Sequence, residues 1–281
     1  MMITIRTIIL TFFITSFISF QNILAQENFK ILSYNVLKGF QQDTLIHKDY
    51  QNWLKELNPD IIAYQEMNDF SQIGLEEFAE NYGHPYAVIS KLNGFSVALT
   101  SKYPIVNVQK VIDNMWHGYL YANVNKIHVF VVHFSPFSYK KRQHEIKEVL
   151  AHANLLPQNE NIAIMGDFNS LSPEDLKYHT LEMERSMLER ESKEEHIRNL
   201  NNGKIDYTVI DAIKEAGFKD AFWLKNDNFI SSIGTEKYRK GKPSTRRIDY
   251  IWGNPVISKK LISSTIIHDS KTDYMSDHYP V

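Results

Sequence analysis

From Phe29 onward, short runs of β-branched and aromatic residues alternate with longer stretches of helical periodicity. Residues 29–34 end on Asn35, 61–64 run into Gln65-Glu66, 127–132 end on His133, and 162–165 end on Gly166-Asp167-Phe168-Asn169. A fifth run, 248–252, carries Asp249 near its start. Each run reads as a buried strand with a polar tip. Helical patterns fit between them. One covers 49–57, and another covers 139–155 with Ile146, Val149, Leu150 and Ala153 on one face. Ser172-Pro173-Glu174-Asp175 has the N-cap, first-turn proline and acidic first turn of a helix start, and the pattern over 207–216 stops at Gly217. The stretch 182–196, dense in charges of both signs, reads as a solvated helix or surface insertion.

The first 25 residues differ in kind. Arg6 is the only charge before Glu27, and 8–20 is apolar apart from Thr and Ser. This pattern predicts a signal peptide cleaved after Ala25, although Ile23 is larger than the small residue usual two places earlier. An exported protein of residues 26–281 is expected, periplasmic or extracellular, with no integral membrane segment after cleavage. No Pro-, Gly- or Ser-rich linker divides that span, so one monomeric domain is expected. A hydrophobic content of 43% excludes a disordered chain. The 31 Lys+Arg against 33 Asp+Glu lack the basic excess of a DNA-wrapping protein. With no cysteine there is no disulfide framework, thiolate metal site or cysteine nucleophile, so any metal must take oxygen or imidazole ligands.

Those ligand types cluster at the strand tips. Asn35, Glu66, Asp167, Asn169, Asp249 and Asp277, with His133 and His278, compose a hard-metal set suited to Mg²⁺, Mn²⁺ or Ca²⁺. Histidines beside carboxylates also offer a proton acceptor and a group to orient it, as water attack on a phosphate ester requires. Taken singly each is ordinary: an Asp after a Gly is commonly a turn residue, and a lone His in an apolar run is commonly core.

The ordered set is less ordinary. Ser33-Tyr34-Asn35-Val36-Leu37, Gln65-Glu66, Thr100-Ser101-Lys102-Tyr103-Pro104-Ile105, Val132-His133-Phe134, Gly166-Asp167-Phe168-Asn169-Ser170, Arg247-Ile248-Asp249-Tyr250 and Ser276-Asp277-His278-Tyr279-Pro280-Val281 follow one another along the chain. In this order they resemble the endonuclease/exonuclease/phosphatase superfamily over residues 30–281. The resemblance implies an α/β fold of the DNase I type: a four-layer sandwich, two mixed sheets face to face with helices outside, and an active site where strand ends meet. It also implies that Glu66 is the principal ligand of a Mg²⁺ or Mn²⁺ ion, with Ca²⁺ an alternative, and that Asn35 and Asp277 support that ion. Asp167 and Asn169 match the pair that positions the attacking water, His278 with Asp249 a histidine–carboxylate dyad, and His133 a phosphate-contacting histidine.

The implied substrate is a phosphoester, nucleic acid among the candidates. Met165-Gly166-Asp167-Phe168-Asn169-Ser170 departs from the Trp-x-Gly-Asp-x-Asn block of inositol-polyphosphate 5-phosphatases. The Asn35 and Asp167 blocks look like the deadenylase branch, yet export points instead to an extracellular or periplasmic phosphodiester. A phosphatase or sphingomyelinase-like phospholipase is the alternative, predicting exposed aromatic loops at Trp116, Tyr119 or Phe222-Trp223. A third reading is a non-catalytic binding protein on the same fold. Residues 237–247 hold six cations in eleven positions, so they read either as a phosphate grip or as a solvated loop. Tyr279-Pro280-Val281 opens a strand that related chains usually continue, which predicts an unpaired sheet edge.

Overall fold

The computed structural model describes residues 29–239, 241 and 244–281. The signal-peptide reading of residues 1–25 therefore falls outside the described residues, as do Lys240 and Lys242 of the basic loop. Strands β1 (Ile31–Asn35), β2 (Ile61–Gln65), β3 (Tyr86–Ile89) and β4 (Ala98–Ser101) form a sheet in the order β1-β2-β4-β3, with β1 and β2 parallel. The second sheet draws on β5 (Ile105–Val111), β6 (Tyr119–Val124), β7 (Ile127–His133) and β8 (Asn161–Asp167). After a small hairpin of β9 (Leu200–Asn201) and β10 (Lys204–Ile205), it adds β11 (Lys219–Asp220) and β12 (Asp249–Gly253). Its order is β11-β12-β8-β7-β6-β5, and only β7 and β8 run parallel.

Three apolar clusters fill the three spaces between four layers. Ile61, Ala63 and Leu99 of the first sheet meet Val129, Val131, Ala163 and Met165 of the second. The opposite face of the first sheet, with Leu32, Tyr34, Ile62 and Tyr64, packs on helices Thr44–Leu57 and Gln72–Glu80. Phe130, Val132, Ile162, Ile164, Tyr250 and Trp252 pack on helices Tyr139–Asn154 and Thr208–Glu215. The architecture is the four-layer α/β sandwich that the family resemblance implies. A central strand here is buried on both faces, which is why its residues read as a continuous apolar run.

Local signals set most element ends. The first helix begins at Thr44 rather than near 49, because the Asp43 side chain accepts from the backbone N–H of Leu45 and Ile46. The start at Ser172 leads into a 3₁₀ turn, Pro173–Tyr178, not an α-helix. Asp175 is drawn inward there to pair with Arg247, whose guanidinium also meets Asp220. The charged stretch becomes the helix Leu181–Lys193, which has no buried residue. At the outer edge of β1, Val281 exchanges both backbone hydrogen bonds with Ser33 at 2.9 Å. Among the described residues no helix is long and apolar enough to cross a membrane.

Candidate active site

Side chains alternate between the faces of a strand. On β7, β8 and β12 the inward sets Val129-Val131, Ala163-Met165 and Ile251 continue two residues further to His133, Asp167 and Asp249. Register pairs His133 with Asp167 and Asp167 with Asp249, so the three occupy one rung of the second sheet. Across the inter-sheet space, β1 and β2 end on the paired rung Asn35 and Gln65, followed by Glu66. The candidate residues thus cap the column of the inter-sheet core.

Gly166 makes the rung possible. Its φ is +141°, and a Cβ there would collide with the Val132 carbonyl oxygen. Glu66 is held in the left-handed region at φ +61°, an uncommon state for a non-glycine residue. The chain from Leu37 to Gln42 explains how: all six residues have positive φ, and this left-handed turn aims two amides at Glu66. Gly39 N–H donates to its carbonyl at 2.7 Å and Lys38 N–H to its carboxylate at 3.0 Å. Phe40, fully buried among Tyr34, Tyr50 and Phe78, anchors the turn.

Around the rung the contacts converge on Asp167. Its Oδ2 accepts from Asn35 Nδ2 at 3.1 Å and lies 3.6 Å from His133 Nε2 and 3.9 Å from His278 Nε2. Its Oδ1 accepts from the Asn169 backbone at 2.8 Å, while the Asn169 amide donates to the Phe134 carbonyl. Asn35 Nδ2 also lies 3.3 Å from Glu66 Oε1. His278 Nδ1 lies 2.9 Å from Asp249 Oδ2, and His278 Nε2 is 4.0 Å from Asp277 Oδ1. All eight residues singled out from the sequence therefore meet in one place. Among the described residues, the tightest potential metal-binding trio is Asp167, Asp249 and His278, with ligand atoms within 4.8 Å of one another.

The electrostatics are lopsided. Burial would lower the His278 pKa, but the charges of Asp249, Asp277 and Asp167 override it and hold the imidazole protonated, well above its ordinary value. His133, by contrast, is kept neutral by burial and by its neighbours His117 and His278. Burial, then the charge of Asp249, pushes the Asp167 carboxyl far up, and burial raises Glu66 as well. Four acidic side chains thus surround one cationic imidazole. Among the described residues no Lys or Arg lies within salt-bridge distance of any of them. Asp249 Oδ1 and His133 Nδ1 are buried without a hydrogen-bond partner. Oxygen-rich, negatively charged and under-neutralised, the group fits a divalent cation.

Several contributors left no mark in the sequence. Ser232 Oγ donates to Asp249 Oδ2 at 2.6 Å and accepts from the N–H of Ile248 and Asp249, fixing the carboxylate that faces His278. Nothing in Ser231-Ser232-Ile233 signals this; the segment is brought there by its pairing with His278 and by backbone bonds of Ser232 to Arg246 and Tyr279. Arg247 corrects the reading of the basic loop as a substrate grip at that position. It has no exposed surface, because Asp175, Asp220 and the rings of Phe222, Trp223 and Tyr250 enclose it. Of the aromatic residues expected to be exposed, Tyr119 and Phe222 are buried, and Trp223 is half-buried with its indole N–H on Asp175. Trp116 is 50% exposed.

A family model described as "Endonuclease/Exonuclease/phosphatase family" matches residues 32–278, nearly the whole described chain. The chain belongs to the endonuclease/exonuclease/phosphatase family. As a member it is a phosphoester hydrolase. Solved structures share the fold of this endonuclease/exonuclease/phosphatase protein at low identity. An AP endonuclease from Archaeoglobus fulgidus is 20% identical with a TM-score of 0.65, covering 90% of this chain and 97% of its own. The 3' phosphatase NExo from Neisseria, bound to product DNA hairpin, is 18% identical with a TM-score of 0.66 and the same coverages. An endonuclease/exonuclease/phosphatase family protein from Leptotrichia buccalis is 16% identical with a TM-score of 0.59, covering 90% and 97%. No curated protein matches the sequence closely enough to count as a relative.

Proposed function

We propose that this family member is an exported, metal-dependent phosphodiesterase of the nuclease type that attacks its ester with water held by Asp167 and Asn169. The observation that carries this reading is the single rung of His133, Asp167 and Asp249 facing Asn35 and Glu66. In this scheme the ionised Asp167 carboxylate, made a stronger proton acceptor by burial and by the facing Asp249, accepts a proton from water as the oxygen–phosphorus bond forms. Protonated His278, oriented by Asp249, donates a hydrogen bond to a non-bridging oxygen as charge builds there, and neutral His133 offers a second N–H. The ester bond breaks on the opposite side of phosphorus. Glu66, Asn35 and Asp277 would hold a Mg²⁺ or Mn²⁺ ion, which supplies neutralisation of the phosphate and of the leaving oxygen.

Activity on bis(p-nitrophenyl) phosphate is expected to vanish with a chelator and return with Mg²⁺ or Mn²⁺. Glu66→Gln should raise the metal concentration for half-maximal rate by at least about tenfold. Full turnover in metal-free buffer would sink the mechanism. The export component rests on the apolar stretch before Glu27. Mass spectrometry of protein from its native host should find an N-terminus near Gln26, and intact Met1 in a soluble cytosolic fraction would contradict it.

A further inference from the structure

Beside the catalytic rung lies a cleft of about 520 Å³, lined by Met115, Trp116, Ser135, Phe137, Lys141 and His196. That volume lies within the range of small-molecule sites. It is joined to the rung by a chain of rings. His133 stacks on His117 at 4.1 Å and 20°, and His117 lies 6.4 Å from Trp116. The cleft is also rigidly attached. Glu145, fully buried, accepts from the backbone N–H of Trp116 at 2.6 Å with one oxygen and from that of Ser135 at 2.8 Å with the other. One carboxylate thereby clamps the aromatic wall to the chain leaving β7, two residues past His133. Arg142, itself buried, donates to the Ser135 carbonyl, and Lys141 Nζ donates to the Asn114 carbonyl.

The wall is aromatic and still open. Phe137 meets Trp116 edge-on at 5.4 Å and 75°, His117 meets it at 89°, and neither stacks face to face on the indole. Half of the Trp116 surface is exposed, whereas Trp53 and Trp252 are buried. A flat ring with polar edges suits such a place. Its faces can stack on the indole, and its edges meet the ammonium of Lys141 and the imidazole of His196. An acyl chain would leave those polar groups facing hydrocarbon. Trp116 also lines a concavity, whereas a side chain that enters a lipid surface has to protrude from one.

We propose that this cleft is a base-binding subsite, in which Trp116 stacks a nucleobase of the substrate while the adjoining phosphate lies at the rung of His133 and Asp167. The assignment rests on the phosphodiesterase reading and narrows it to nucleotide esters. The full mature chain is first titrated with adenosine 5'-monophosphate, then with ribose 5-phosphate, which keeps the sugar and phosphate but lacks the base. Of the other tryptophans, Trp53 and Trp252 are buried and Trp223 is held by Asp175, so quenching reports chiefly on Trp116. Saturable quenching by the nucleotide alone, lost in Trp116→Ala, is the expected result.

Kinetics supply the second measurement. The preference in kcat/KM for a dinucleotide over its base-free analogue should fall about tenfold in Trp116→Ala, equivalent to ~1.4 kcal/mol. The change should lie mainly in KM, and Trp116→Phe should keep most of the preference. An unchanged preference in Trp116→Ala overturns the subsite while leaving the phosphodiesterase reading intact. Conversely, Trp116-dependent nucleotide binding without any phosphodiesterase activity would defeat that reading and keep the subsite. Quenching by sphingomyelin vesicles with none by the nucleotide would assign the cleft to a lipid and overturn the proposal.

Discussion

Asp167→Asn should leave a folded protein that has lost turnover by at least about 10²-fold. The substitution keeps size and shape, and the remaining amide oxygen can still accept from the Asn169 backbone, while the amide nitrogen cannot accept from Asn35 as the second carboxylate oxygen does. It removes the one capacity proposed for the carboxylate in catalysis, taking a proton from water. Stability should change little, because the lost acceptor for Asn35 and the relief of a buried charge oppose each other. In the wild type, burial and the facing Asp249 penalise the ionised carboxyl, and a neutral amide escapes that penalty. KM should move little if Asp167 acts on water rather than on the phosphate. Thermal unfolding and steady-state kinetics on the same preparation separate these effects. A well-folded variant with near-normal kcat would show that the water-positioning role is misassigned.

For the dyad, His278→Ala is expected to cost at least about 10²-fold in kcat, and Asp249→Asn a comparable amount. The asparagine variant is preferred to alanine because Asp249 Oδ2 serves both His278 and Ser232, and deleting the side chain would strand two buried polar groups. Asp249 is proposed to act through His278. The double variant should therefore lose little beyond the worse single, since groups that work as a unit are not additive. Losses that simply multiply would mean that Asp249 and His278 act on different steps. If His278→Ala retained near-normal turnover, the rung would have to work without a cationic imidazole.

The residues at the rung were legible for a structural reason. Strands buried on both faces read as unbroken apolar runs, so a polar residue where the run ends is conspicuous, and His133, Asp167 and Asn35 are such residues. What the runs do not encode is register, and it is register that sets His133, Asp167 and Asp249 side by side. Strand β5 was illegible because its residues are largely exposed and its pairing with β6 shifts between Val106 and Gln109. Arg247 could not be told from Arg246 by type. Its burial depends on Asp175 and Asp220, which are remote in the chain and adjacent only in the fold. The left-handed turn before Glu66 was equally silent, since among its six residues only Gly39 carries the usual signature of positive φ.

The rung continues the inter-sheet column, so its polar residues stand where apolar core would otherwise extend. An apolar column with Leu, Val or Met at positions 35, 65, 133, 167 and 249 would be equally compatible with folding only if the hydrogen-bonding partners were replaced as well. Each such change would remove a desolvated polar group, in a neighbourhood where Gln65, His133 and Asp249 already carry unpartnered atoms. This chain instead holds polar groups at all five positions, together with a strained Glu66 beside them. Together they make this end of the core polar at the cost of buried, partly unpartnered groups.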